Sequence, residues 1–334
     1  MADLSKARLP VGDPGLAVVE HLYEQMQIDP RWSVRQDRGF TWWGDQLAQR
    51  VWASSSEERF GDSVWRVHIE TDLVRDVQAD PGPYPALAEL NRLASLSACV
   101  LDNGKIRRHA SVSVTENNLP FSKELAIHAV SLQAADARAV ARWLSGHLRA
   151  AEDVSHHPSS GPRPTPDAML GVALLYQRTR ENGIWTPPID FIGVANSANR
   201  CWVSATAGTH SFTAELPLGS DTGAGAGAEP ATALFQTWTD KPNPIFGTGA
   251  LLLLKLPGDF DASVANVLNV AETRAPDSHQ LGAWCHRDDW GLAFVTFLPA
   301  LVFERGGHYA TNLFESLVWH SASRALWAHT LLTR

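Results

Sequence analysis

Ala98-Cys-Val-Leu-Asp102, Asn103-Gly104 and Lys105-Ile-Arg-Arg-His-Ala-Ser-Val-Ser-Val114 read as strand, turn, strand. Asn-Gly accepts a positive φ at both central turn positions, so it fits the type I′ turn that joins two antiparallel strands. Working backwards, Trp32-Ser-Val-Arg-Gln36, a turn at Asp37-Arg-Gly39, Phe40-Thr-Trp-Trp43, Leu47 to Ala53 and Val64 to Thr71 are each bounded by polar residues or glycine. They predict a four-strand antiparallel meander. The break Pro81-Gly-Pro-Tyr-Pro85 precedes Leu87, Leu90, Leu93, Ala94 and Ser97, one face of a helix lying between meander and hairpin.

A helix opens this half at Asp13-Pro14, where the carboxylate serves as N-cap and the proline needs no N–H partner. Leu16, Val19, Leu22, Tyr23 and Met26 follow at helical spacing, and the helix should stop before Pro30. A long helix from about Phe121 to Leu148 closes the half. The expected fold class is α+β, with helices on small antiparallel sheets.

The same order returns downstream. Trp202-Val-Ser-Ala-Thr, a turn at Gly208 and His210 to Leu216 mirror Trp32 to Trp43. Ala233 to Thr239 parallels Leu47 to Ala53, and Gly249 to Leu256 parallels Val64 to Thr71. The helix Asp261 to Ala271 carries Leu268-Asn269 where the first half has Leu90-Asn91. Gln280 to Arg287, Asp288-Asp289 and Trp290 to Leu298 form a second hairpin, before a final helix from about Gly307 to Leu331. The offset between copies grows from 170 residues (Trp202 against Trp32) to 186 (Trp238 against Trp52), so an insertion lies between. Gly219 to Pro230 is that insertion and reads as a mobile loop. Ala151 to Pro166 has the Pro/Gly/Ser composition of a linker, giving domains over 1–150 and 167–334. The segment Met169 to Arg180 has no counterpart in the first half.

Composition narrows the function. With 44% hydrophobic and 19% charged residues, the 334-residue chain falls in the globular range, long enough for two cores. A net charge of −8 with no basic run argues against nucleic acid. Cys99, Cys201 and Cys285 are too few and scattered for a disulfide framework, which fits a reducing compartment. The start Met1-Ala-Asp-Leu-Ser-Lys6 lacks a signal-peptide pattern, and Leu251 to Leu254 stops at Lys255, far short of the ~20 residues that span a bilayer. A cytoplasmic protein without membrane contact is expected.

Gly223-Ala-Gly-Ala-Gly227 does not complete a dinucleotide loop, because Ala228 stands at the third glycine position and Pro230 follows where a helix should begin. No GxxxxGK[ST], GxSxG or HExxH pattern occurs, and neither a cofactor nor a metal is expected. His156-His157 falls in the linker and is expected to be solvated. Cys285 and His286 point to opposite faces of a strand. Glu57-Glu58 and Asp288-Asp289 are expected at solvated turns. His68 and Glu70, two apart on a strand, share a face, as a general acid/base pair or as a half-exposed polar pair. Trp42 and Trp43 point to opposite faces, so one indole leaves its own core layer, covered by other structure or presented to a partner. Trp42, Trp43, Trp52 and Trp65 are the partner-binding candidates.

The order of helix, meander, helix, hairpin and long helix resembles the class I type III secretion chaperones and the YbjN-like peptide-binding chaperones. The residues carrying the likeness are Gly39-Phe-Thr-Trp-Trp43, Val67-His-Ile-Glu-Thr-Asp-Leu73, Leu90-Asn91, the Asn103-Gly104 hairpin, Leu268-Asn269 and the Asp288-Asp289 hairpin. The resemblance implies a non-enzymatic protein that holds extended partner segments on apolar surfaces, with no catalytic residues to carry over. Joining two copies in one chain suggests an internal pseudo-dimer. The sequence therefore favours a protein- or peptide-binding module, with an enzyme near His68 and Glu70, or a structural subunit of an assembly, as alternatives.

Overall fold

A computed structural model describes residues 12–59, 61–78, 82–171, 185–201, 203–219, 231–274, 280–306 and 310–333. The fold is α+β, with helices on two antiparallel sheets of eight and six strands. The chain forms two compact units, each discontinuous in sequence. Unit 1 takes Met1–Ala86, Leu96–Tyr176 and Val270–Leu281, and unit 2 takes Leu87–Ser95, Gln177–Asn269 and Gly282–Arg334.

In unit 1, α1 (Pro14–Gln25) starts as its sequence predicts, with Asp13 Oδ1 accepting from the Leu16 amide at 2.9 Å. The strands are β1 (Ser33–Gln36), β2 (Gly39–Trp43), β3 (Ala48–Ala53), β4 (Glu57–Arg59), β5 (Asp62–Arg75), β6 (Ala98–Asp102), β7 (Lys105–Val114) and β8 (Ala151–Glu152). The main sheet runs β1-β2-β3-β5-β7-β6, with β4 and β8 both pairing β5. Asn103 and Gly104 have φ of 52° and 73°, the positive pair that the hairpin turn requires. Helix α3 (Leu119–Leu148), together with α1, covers the inner face of the sheet. Phe40, Trp42, Val51, Val67, Ile69 and Val112 from the strands are fully buried there, as are Val18 and Leu22 of α1 and Val130 of α3. Gln133 joins helix to sheet through this core: its Oε1 accepts from Thr71 Oγ1 at 2.8 Å and from Gln49 Nε2 at 3.2 Å. Glu57 and Glu58 are exposed, as expected, but lie in β4 and not in a turn.

The segment after α3, read above as a linker, is tied to the sheet. Val74 pairs with Glu152, the Asp153 amide donates to Leu73 O, the Ser155 amide to Gln46 O and the Asp167 amide to Gly44 O. His157 is buried and not solvated: its Nδ1 accepts from the Ser160 amide at 3.0 Å, and its Nε2 lies 3.3 Å from Ser33 O. A chain rich in proline and glycine lacks regular structure, yet its amides and carbonyls still find partners on a sheet edge.

Unit 2 has the same strand order. Strands β9 (Ser204–Ala207), β10 (Ser211–Pro217), β11 (Thr232–Trp238), β12 (Gly249–Lys255), β13 (Ala283–Arg287) and β14 (Gly291–Pro299) run β9-β10-β11-β12-β14-β13. Helix α2 (Tyr84–Arg92) and helix α5 (Ala262–Arg274) each cross a unit boundary. Helix α4 (Phe191–Asn199) begins at Asp190, whose Oδ1 accepts from the Gly193 amide at 2.8 Å. The remaining helices are α6 (Ala300–Gly306) and α7 (Ala310–Leu332). Phe314 of α7 fills the core against Phe191, Phe212 and Phe235 at centroid distances of 4.8, 5.2 and 6.4 Å. The insertion residues 220–230 and most of the segment Met169 to Arg180 lie outside the described residues.

Both edge strands of this sheet are closed by asparagine side chains. Asn199 donates to Ala205 O and accepts from its amide, each at 2.9 Å, on β9. On β13, Asn269 does the same for Trp284, each at 2.8 Å. An amide side chain here stands in for a neighbouring strand, and this explains the buried Leu268-Asn269 pair. Asn269→Ala should cost about 2 kcal/mol, because it leaves two buried backbone groups unsatisfied. Urea denaturation would measure this, and a loss below a few tenths of a kcal/mol would show that water replaces the amide.

Candidate functional site

Alternation along the unit 1 strands sends apolar side chains to the helices and a polar set to the opposite, outer face. Arg50 and Trp52 of β3, Arg66, His68, Glu70 and Asp72 of β5, and Arg107, His109 and Ser111 of β7 share that outer face by register. Trp52 stacks on His68, with centroids 4.9 Å apart and planes 11° from parallel. His68 Nδ1 lies 3.3 Å from His109 Nε2, and His109 Nδ1 lies 2.5 Å from Gln280 Oε1. Gln280 is fixed by an isolated antiparallel bridge with Ser111, whose amide donates to Gln280 O at 3.1 Å, and the Gln280 amide donates to Ser111 Oγ at 3.1 Å. Because Gln280 Oε1 can only accept, His109 carries its proton on Nδ1 and offers Nε2 as acceptor to His68.

His68 and Glu70 share the face as their spacing requires, but each turns to other partners. Glu70 is held by Arg50, with Arg107 at 3.6 Å on its other oxygen. Arg50 also reaches Asp72 at 3.0 Å, and Arg107 reaches Asp102 at 2.7 Å. This is a charge network on a sheet face, with no contact from Glu70 to an imidazole among the hydrogen bonds of the described residues.

Burial, reinforced by the charge of Arg66, pushes His68 down to about 4. His109 falls to about 3, through burial first and then the neighbouring His68. Both rings are neutral at pH 7. Their folded values lie below the ordinary 6.5, so the unfolded chain takes up protons first as pH falls. The stability they contribute is complete above pH 6.5 and drains away towards pH 4, by up to about 1.4 kcal/mol per pH unit for each ring. Urea denaturation at pH 7, 5.5 and 4.5 should show this slope, and His109→Gln should flatten it. Identical slopes in both proteins would refute the assignment.

Beside His68 the outer face opens into a cleft of about 230 Å³, lined by Ser54, Glu57, Arg59, Val64, Trp65, Arg66, His68, Thr273 and Arg274. Arg66 Nη2 donates to Glu272 O at 3.4 Å, Arg59 pairs with Glu57 at 2.5 Å, and Arg274 reaches Asp102 at 3.0 Å. The lining thus holds three guanidinium groups against one carboxylate.

The indoles chosen from sequence are distributed differently from the expectation. Trp42 is fully buried beneath α3, and Trp43 on the other face is only 7% exposed. The segment after α3 covers Trp43: its Nε1 donates to Ser155 Oγ at 3.1 Å, and its ring meets His157 at 5.2 Å. Neither of these two is presented at the surface. Trp65 is also 7% exposed but forms part of the cleft wall, and half-buried Trp52 backs His68. Comparison with protein families, with curated proteins and with solved structures gives no match.

The two buried thiols, Cys99 and Cys285, are poor nucleophile candidates. Burial pushes Cys285 up to about 12, and Cys99 is also raised by burial. Among the described residues, no three His, Cys, Asp or Glu side chains form a group able to hold a metal ion. No helix among them is long and apolar enough to cross a membrane. Arg59, Arg66 and Arg274 were missed in the sequence reading. The first two lie only seven residues apart, but Arg274 joins them through the return of 270–281 to unit 1, which has no local signal.

Proposed function

We propose that the chain is a non-enzymatic binding protein that holds an extended segment of a protein partner, with the contact centred on the cleft beside Trp52, Trp65 and His68. The observation that carries this reading is the contrast within one sheet face. Glu70 and Asp72 are held by Arg50, and His68 and His109 contact each other, while the open volume is walled, besides His68 and Glu57, by an indole, hydroxyls and guanidiniums. Such a wall offers one large apolar anchor and several fixed donors, the make-up of a recognition site. The likeness in element order to peptide-holding chaperones supports the same reading at the level of the fold.

The test is a peptide array probed with the wild-type protein and with Thr273→Tyr, which fills the cleft from half-buried α5. Wild type should retain a subset of peptides, and the variant should bind them at least about tenfold more weakly at unchanged melting temperature. Equal binding by both proteins would remove the site from the cleft. Turnover of a bound compound that depends on His68 or Glu70 would replace binding by catalysis.

A further inference from the structure

We propose that His68 Nε2 is a fixed hydrogen-bond acceptor of the cleft, set by a chain of tautomers that starts at Gln280, and that it takes a main-chain N–H of the bound segment. This deepens the binding reading above and rests on it. Gln280 Oε1 keeps the His109 proton on Nδ1, so His109 Nε2 carries a lone pair and faces His68 Nδ1 at 3.3 Å. Two lone pairs cannot share that contact. His68 therefore donates from Nδ1, and a neutral ring has no proton left for Nε2. Both rings are neutral at pH 7, since burial pushes His68 down to about 4 and His109 to about 3. Trp52, stacked on the ring at 4.9 Å, and His109 at Nδ1 hold the imidazole in one plane, and His68 is at the same time part of the cleft wall. Nε2, on the far side of the ring from His109, is what His68 presents to an occupant. An acceptor placed beforehand loses little freedom on binding.

The second sheet is built without this chain. Its row Trp238, Leu251, Phe297 matches the row Trp52, His68, Ser111, and the row Gln236, Leu253, Val295 matches Arg50, Glu70, His109. Leu251 and Val295 thus stand where the first sheet has His68 and His109. Apolar residues there support the same strand order and avoid the cost of desolvating two imidazoles. What the first sheet gains for that cost is an oriented polar atom beside an open cleft. An extended segment offers N–H and C=O groups in alternation, so a site that reads its backbone needs a fixed acceptor. The other side-chain oxygens of the wall are already engaged. Glu57 pairs with Arg59, Thr273 Oγ1 donates to Val270 O, and Ser54 Oγ receives the Arg66 amide and donates to Ser55 O.

Long-range proton–nitrogen NMR correlations of the intact protein at pH 7 read the tautomers directly. Both rings should carry the proton on Nδ1. A proton on His68 Nε2 would make that atom a donor and overturn the proposal. In His109→Val, which installs the residue of the second sheet, His68 should shift towards the Nε2–H form, and a ring that keeps its proton on Nδ1 would show that His109 does not set it. The tightest peptide of the array is then compared with analogues in which single amide N–H groups are replaced by ester oxygens. One such position should weaken binding to the wild type about tenfold, and His68→Leu, which mirrors Leu251, should bind that ester and its parent amide equally. Ester penalties that are uniform along the peptide, or a selective penalty that persists in His68→Leu, overturn the acceptor role and leave the binding reading standing. If no peptide binds, the binding reading falls, and the N–H ligand with it.

Discussion

Trp42→Ala should lower the unfolding free energy by about 3–5 kcal/mol, the range for truncating a buried aromatic side chain. The indole is fully buried and borders Ala134 and Ala137 of α3 together with Gln49 and Thr71 of the sheet. Its benzo edge lies so close to Gly44 that an added Cβ there would sit 3.0 Å from the ring. Trp43→Ala should act locally, freeing Ser155 and His157 and opening the stretch around residues 155–163 to limited proteolysis. Equilibrium urea denaturation of both variants separates the two effects. A loss under about 1 kcal/mol for Trp42→Ala would mean that the indole contributes little to the core.

Asp136→Ala should cost about 3 kcal/mol by stranding Arg108. The guanidinium of Arg108 enters from β7 towards α3 and meets Asp136 at 2.8 Å, on the inner face where Thr71 and Cys99 are its register neighbours. Removing one partner of a buried ion pair leaves a charge with its desolvation cost uncompensated, typically about 3–5 kcal/mol. The lower end applies because the two side chains keep 12% and 22% of their surface in contact with solvent. Arg108→Met combined with Asp136→Leu should recover most of the loss. A double variant no more stable than Asp136→Ala would show that the pair is not what the charge depends on.

Local chemistry made much of the fold readable. Asp13, Asn103 and Gly104 act through their own backbone, so their structural roles follow from residue type and neighbours alone. Period-two runs announced the strands, and the repeat of element order announced the second sheet. Helix α4 escaped notice although Asp190 opens it as Asp13 opens α1, because its nine residues show only a short apolar stripe. Burial of Trp43 and His157 was out of reach, since it depends on where residues 153–167 lay their backbone, and composition does not encode that. The cleft was hidden for the same reason. Its cations come from positions 59, 66 and 274, and only the tertiary path of the chain unites them.

That path bears on biosynthesis. Gln280, the acceptor for buried His109, is more than 170 positions downstream of it, and residues 270–281 belong to unit 1. A ribosome that has released the first hairpin must therefore synthesise most of the second sheet before the earlier one can be completed. Until then the outer face of the sheet displays His109 and Arg66, whose partners Gln280 and Glu272 do not yet exist. A gene cut between residues 151 and 166 would yield an amino-terminal product permanently in that state, and co-expression of the two fragments would be the natural way to rescue it.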